Sequence, residues 1–202
     1  MKTLLSSSNS KLGDHIPAFN LPVLKTCPGK TRLCKVYCYA RRHHFIMKAI
    51  KNKLEYNYIH SKSESFVHRI ISEINMFRYY SESKGKKLYR IRLHSSGDFY
   101  SQAYLDKWGE IARTFPDIVM TAYTRSYMLD FSKVPKNLNL YYSMDSSTVN
   151  FSPHIKKQAQ VILKKELPLY KSPDNQICNS KCRICNKCYS LTTDKNMLFL
   201  KH

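Results

Sequence analysis

Glycine is scarce in this chain, with five residues among 202. That scarcity excludes a Gly-rich phosphate-binding loop, and no G-x-G-x-x-G dinucleotide fingerprint occurs. The HExxH of zinc proteases and the GxSxG of serine hydrolases are absent as well. No apolar run approaches the roughly 18 to 20 residues that span a bilayer. The opening MKTLLSSSNSKLG has only Leu4 and Leu5 as consecutive apolar residues before it turns polar, so the apolar centre of a signal peptide is missing. The expectation is a cytoplasmic protein without a membrane partner, in a compartment that keeps thiols reduced. Acid is scarce too: 14 Asp and Glu stand against 34 Lys and Arg, a formal charge of +20. Such an excess attracts polyanions, and nucleic acid is the commonest of them. A lysine-rich background composition would give a basic surface with no specific partner, and the sequence leaves both readings open. What is present argues for a real core: 43% hydrophobic and 12% aromatic residues, over the length of one substantial domain.

Cysteine is missing from residues 39–177, and the seven that exist fall into two groups on either side of that gap. Cys27, Cys34 and Cys38 form one; Cys178, Cys182, Cys185 and Cys188 form the other. An odd count cannot pair off completely as disulfides, and Cys-x2-Cys spacing holds sulfurs close enough to share one ion or cluster. In CNSKCRICNKCY the four thiolates fall within eleven residues and can wrap a tetrahedral zinc or an iron-sulfur cube. Structural zinc usually takes two knuckles separated by a longer loop, so this compact run leans toward a cluster. In TCPGKTRLCKVYCYA, three thiolates on a cube would leave one iron free for a small molecule or for redox chemistry. The competing reading is a structural zinc completed by His43 or His44. The cofactors expected are therefore iron-sulfur clusters, of the 4Fe-4S kind and up to two, with zinc as the alternative.

Strands and helices alternate along the middle of the chain. HIPAFNLPVL, residues 15–24, is broken by Pro17 and Pro22 and suits an edge strand. The loop from Thr26 to Cys38 should be irregular until about Leu33. From Val36 to Ile59 no Pro or Gly interrupts an apolar spacing of three and four, which predicts a helix, and Glu64–Ser81 predicts a second. Leu88–Leu93 alternates as a strand, Ser101–Thr114 reads as helix, and Asp117–Tyr123, Leu138–Met144 and Ala159–Leu163 read as further strands. Met128–Val134 reads as a short helical or turn segment, and Ser152–Lys157 as helical. The order predicts an α/β fold with a mostly parallel sheet, an open or partial (β/α) barrel. One domain is expected over residues 1–202, with a core over 1–163 and a C-terminal cysteine-rich metal loop within an extension over 164–202. That extension has too few apolar residues to fold alone, so a bound metal would organise it.

Three successive strand ends carry polar residues. RIRLHSSGDFYS places Ser96, Gly97 and Asp98 at the C-terminal end of a strand, where parallel sheets bind ligands. Gly97 would let a ligand approach the backbone, and Asp98 would accept hydrogen bonds from an ammonium or a ribose; alternatively Asp98 only caps the following helix. Tyr123, Thr124, Arg125 and Ser126 follow the next strand, and Ser143, Met144, Asp145 and Ser146 the one after. Together they predict a shared pocket, although ordinary turn chemistry also places Ser and Asp there. Fifteen tyrosines among many lysines can stack bases along a basic groove or fill the core.

LSSSNSKLG, the first cysteine group, RIRLHSSGDFYS, TAYTRS, YYSMDSS and the terminal cysteine run, taken in order from about Ser6 to Tyr189, resemble the gene product 88 family of bacteriophages and mobile elements. The resemblance implies that Cys27, Cys34, Cys38, the Ser96-Gly97-Asp98 turn and the four terminal cysteines are family motif positions. A more distant similarity is to the radical S-adenosylmethionine superfamily, with three cysteines after a first strand, a small-Gly-acid motif after the next, and an extra cysteine cluster near the end. That similarity implies a catalytic cluster on the three cysteines and S-adenosylmethionine as a cofactor near Asp98. Here the cysteine spacing is x6 and x3 rather than x3 and x2, and Ser-Gly-Asp stands for Gly-Gly-Glu.

Overall fold

A computed structural model of the chain describes residues 2–6, 11–13 and 15–201, without the side chains of His43 and Lys201. Residues 7–10 of LSSSNSKLG thus lie outside the described residues. Seven strands form one open sheet: β1 (Ala18–Phe19), β2 (Arg90–Leu93), β3 (Val119–Thr124), β4 (Leu138–Met144), β5 (Gln158–Leu163), β6 (Asn175–Ile177) and β7 (Asn196–Lys201). Their spatial order is β1-β2-β3-β4-β5-β7-β6, and every neighbouring pair is parallel. The class is α/β, as expected, with β1 at one edge between Pro17 and Pro22.

Both faces of a parallel sheet need cover, and here the two covers differ. On one face, Ile91 and Leu93 of β2, Met120 and Ala122 of β3, and Leu138 and Leu140 of β4 meet two helices. These are α3 (Phe66–Glu82), through Phe66, Ile70 and Ile74, and α4 (Gln102–Thr114), through Tyr104, Trp108 and Ile111. Helix α4 starts where the Ser101 hydroxyl accepts the Tyr104 N–H at 3.3 Å, so Ser101 and not Asp98 is its cap. Side chains alternate along each strand, so Ala18, Tyr123, Tyr141, Ala159 and Met197 project from the other face. There they meet Leu12, Ile16, Cys188 and Tyr189. The terminal cysteine segment therefore takes the place that helices occupy on the first face.

The sequence pattern misplaced three stretches, of which Ser152–Lys157 is a loop with a turn at Pro153 and His154 and not a helix. The single helix expected over 36–59 is four pieces: α1 (Arg32–Tyr37), two 3-10 turns (Tyr39–Arg41 and His43–Ile46), and α2 (Lys48–Ser61). Backbone at Arg42 and Met47 is extended. The break folds Ala40 and Phe45 back onto Leu54, in a small apolar cluster with Val23, Cys38 and Ile50, a tertiary gain that no local breaker residue announces. The stretch after Leu163 is not a plain extension. Residues Lys164–Tyr170 form a 3-10 helix, and β6 and β7 then join the sheet, with β7 inserted between β5 and β6. The terminal cysteines thus lie on a crossover linking two parallel strands.

Candidate metal and ligand site at the strand ends

The first cysteine group sits on the loop and short helix directly after β1, and the ends of β2, β3 and β4 hold it in place. Ser96 makes two hydrogen bonds to Leu21, accepting its N–H at 3.0 Å through its carbonyl and donating its hydroxyl to the Leu21 carbonyl at 2.9 Å. Gly97 has φ +80°, and a Cβ there would stand 2.5 Å from Leu21 Cβ and 2.7 Å from Thr26 Oγ1. What approaches this glycine so closely is the cysteine loop itself. Gly29 repeats the device from the loop side, where a Cβ would fall 1.7 Å from the Arg125 carbonyl oxygen. Asp98 is buried and accepts the N–H of Phe99 at 2.7 Å and that of Arg125 at 2.8 Å, joining the β2 turn to the end of β3. Burial pushes its carboxyl up to about 6, against the pull of these hydrogen bonds.

Asp145, after β4, completes the support. Its Oδ2 accepts the Thr31 hydroxyl at 2.6 Å and pairs with the Arg125 guanidinium at 3.0 Å. The Thr31 oxygen in turn accepts the Cys34 N–H at 3.0 Å and caps α1. A carboxylate on β4 therefore fixes the orientation of the turn that carries Cys34. Burial raises the Cys27 thiol to about 12, with the Asp98 charge adding to it, and burial also raises Cys34 while Arg125 opposes the shift. Cys27 also feels the charges of Cys34 and Cys38, which raise it further. A metal ion binding here would displace protons from these thiols.

Cys27, Cys34 and Cys38 line one cavity of about 400 Å³ together with Ser96, Gly97 and Asp98. Arg92, Arg125, Lys11 and Lys30 bring four cations to its wall, and Ser143 near the end of β4 and Gln160 within β5 line it too. The strand ends do share a pocket, as their polar residues suggested. His94, at the end of β2, has φ +55° and is buried, with its Nε2 2.9 Å from the Tyr104 hydroxyl. Burial, then the Arg92 charge, lowers its imidazole to about 3.

The second cysteine group is held onto the sheet by its own carbonyls. Arg90, only 2% exposed, donates through Nη1 to the Cys182 carbonyl at 3.0 Å, the Cys185 carbonyl at 3.1 Å and Asn186 Oδ1 at 2.6 Å. Thr121 on β3 and Asn139 on β4 donate to the Cys188 carbonyl at 3.0 and 2.8 Å. Three adjacent strands thus each send one polar side chain to a cysteine carbonyl. Burial raises the Cys182 and Cys188 thiols, and Arg92 pulls both back down. The Ser180 N–H points to Cys178 Sγ at 3.4 Å, a contact that suits a thiolate.

Cys178, Cys182 and Cys188 line a second cavity of about 340 Å³. Its wall shares Lys11, Tyr39, Arg92, Ser95, Tyr123 and Phe199 with the first. All seven cysteines are free thiols. Among the described residues, no three His, Cys, Asp or Glu side chains already stand in a metal-holding arrangement. Cys27, Cys34 and Cys38 face one space and Cys178, Cys182 and Cys188 another, neither set closed around a point, and Cys185 lines neither cavity. His44, a candidate zinc ligand, lines the second cavity and not the first, and its ring lies 4.1 Å from that of Phe45. The His43 side chain lies outside the described residues. The sequence pattern does not single out Arg90 and Arg92, whose signal is a pair of guanidinium groups at alternate positions of one strand.

Among the described residues no helix is long and apolar enough to cross a membrane. The family model described as gene product 88 matches residues 2–168. The chain is 27% identical to the gene 88 protein of Mycobacterium phage L5 over 177 residues, covering 84% of this chain and 73% of that protein. It is 26% identical to the gene 88 protein of Mycobacterium phage D29 over 198 residues, covering 86% and 81%. No solved structure gives a significant match. The family match takes in Cys27, Cys34, Cys38 and the Ser96-Gly97-Asp98 turn but ends before Cys178, so the terminal cysteines, expected as family positions, lie outside it.

Proposed function

The chain belongs to the gene product 88 family, and we propose that it is an iron-sulfur protein with two centres. Cys27, Cys34 and Cys38 would hold a 4Fe-4S cluster beside the strand-end cavity, and Cys178, Cys182, Cys185 and Cys188 an auxiliary one. The observation that carries this reading is that three cysteines spread over twelve residues line one cavity, at the sheet edge where ligands of parallel α/β folds bind. Three protein ligands leave one coordination position for a small molecule, and four leave none; such a cluster supplies electron transfer or Lewis acidity. The cavity falls in the ordinary range for small-molecule sites, about 300 to 1,000 Å³. Around it the chain's own residues position and polarise. Asp145 braces the loop, Asp98 ties the strand ends beside it, and Lys11, Lys30 and Arg92 favour an anionic group on whatever enters. S-adenosylmethionine is the first small ligand to test, on the similarity of motif order. The charge of +20 makes nucleic acid the macromolecular partner.

A second reading rests on the anchoring of the terminal segment. Three cysteine carbonyls pinned by Arg90, Thr121 and Asn139 make a rigid frame, which suits a structural zinc as well as a cluster. Anaerobic purification followed by iron, acid-labile sulfide and zinc analysis separates the two. About four irons and four sulfides per centre are expected. Replacing Cys27, Cys34 and Cys38 by Ser removes one complement, and replacing the terminal four removes the other. Stoichiometric zinc without iron overturns the iron-sulfur reading.

A further inference from the structure

Between Asp14 and Glu55 the chain carries nine lysines and arginines and no carboxylate. In the fold this acid-free stretch comprises the cysteine loop, α1, the two 3-10 turns and the start of α2. Its charge faces outward, with Arg32, Lys35, Arg41, Arg42, Lys48 and Lys51 all exposed. Among these cations stand Val36, Tyr37, Tyr39, Ile46 and Met47, each more than half exposed. Large apolar side chains in solvent amid unbalanced positive charge mark a surface made for a partner. The surface runs into the first cavity, because Cys38 and Tyr39 line that cavity's wall.

We propose that this surface binds single-stranded nucleic acid and leads one nucleotide of it into the first cavity. The inference rests on the reading of that cavity as a ligand site. Cations on an irregular backbone contact successive phosphates, while exposed rings such as Tyr37 supply platforms for bases. Only unpaired bases can use such platforms, since a duplex keeps its base faces stacked inside. A duplex groove admits a straight helix or a β-ribbon, and the segment from Tyr39 to Ile46 is neither. An anionic membrane attracts basic segments too, but it favours a helix with one apolar face opposite a charged one. Here apolar and basic side chains alternate over two turns and a break. The Arg92 and Lys30 charges inside the cavity match a phosphate delivered at its mouth.

The test uses the full chain purified anaerobically, with metal content measured on every sample and folding checked by thermal melting. Fluorescence anisotropy compares a labelled single strand of about 16 nucleotides with its duplex, and vesicles containing phosphatidylserine form a third arm. The single strand is expected to bind at least about tenfold tighter than the duplex. R41Q combined with R42Q weakens it about tenfold and lowers the slope of log affinity against log salt by about 1.4, two phosphates at about 0.7 each. Y37S weakens it about tenfold with the slope unchanged, because a ring carries no charge. K84Q with K87Q, two exposed cations before the N-terminal end of β2, away from the strand ends that carry the cavity, changes it less than about twofold. Equal affinity for duplex, an equal loss from K84Q with K87Q, or vesicle binding without oligonucleotide binding overturns the proposal. If samples lack metal but keep this pattern, the cluster reading fails alone. If metal is present and R41Q with R42Q binds like the wild type, the nucleic-acid surface fails alone.

Discussion

The Ser96-Gly97-Asp98 turn acts first on the chain itself. Each of the three residues holds the cysteine loop or an adjacent strand end, and all three also line the cavity that the loop roofs. A methyl group at position 97 meets both a backbone of φ +80° and the Leu21 side chain, so Gly97→Ala should lower stability by about 2 kcal/mol. It should also displace the Leu21–Thr26 segment, which urea unfolding together with iron content of the purified variant would register. Two buried titrating neighbours give a pH signature. The His94 imidazole is held at about 3, below its unfolded value near 6.5. The unfolded state therefore takes up the proton first, and His94 costs about 1.4 kcal/mol of stability per pH unit as pH falls from about 6.5 toward 3. Asp98, raised to about 6, works the opposite way: the folded state takes the proton first, so stability grows as pH falls from about 6 to 4. In the wild type these slopes nearly cancel. Asp98→Asn should make the protein acid-labile from about pH 6.5 downward, and His94→Gln should make it more stable at about pH 4 than at about pH 6. Thermal melting across that range reads both, and parallel curves for the two variants would refute the assignment.

At the scale of elements, the crossover from β6 to β7 is held by side chains of strands distant from it in sequence. Arg90→Met would leave three acceptors without their donor and should cost about 3 kcal/mol. The loss should concentrate there: amide exchange across residues 178–190 should accelerate while that of α3 and α4 stays slow, and uniform acceleration would refute a local role. Much of the architecture was legible beforehand. The strand Leu138–Met144 was read with its true bounds and α4 to within a residue, because Leu, Tyr and Trp recur at the proper period beside clear start signals. The first cysteine group and the polar strand ends, singled out in the sequence, line one cavity. Three things were not legible. Asn196–Lys201 is a short apolar run behind a cysteine segment, and its insertion between β5 and β6 is a long-range pairing that no local pattern records. Arg90 and Arg92 alternate with Ile91 and Leu93, which normally marks a solvent face, and only the fold shows that face covered. The interruption between α1 and α2 arises from Phe45 packing on Leu54, a contact made across the turn it creates.

For the whole molecule, β7 decides what can be removed. It bonds to β5 over five residue pairs and to β6 over three, so the last dozen residues complete the sheet. Ending the chain after Ser190 should expose the β5 edge and strip β6 of its neighbour, giving an aggregating product. Solubility on expression and limited proteolysis would check this, and a soluble, cooperatively melting fragment would contradict it. The two cysteine cavities share one wall, and Arg92 stands in it with its guanidinium 4.2 Å from the centroid of the Tyr123 ring. One fixed positive charge therefore serves two neighbouring sites. Anions gathered on one side would spend attraction that the other side uses, so by reciprocity each proposed site would weaken the other by the same factor. Stepwise titration of one proposed centre should then report the state of its neighbour.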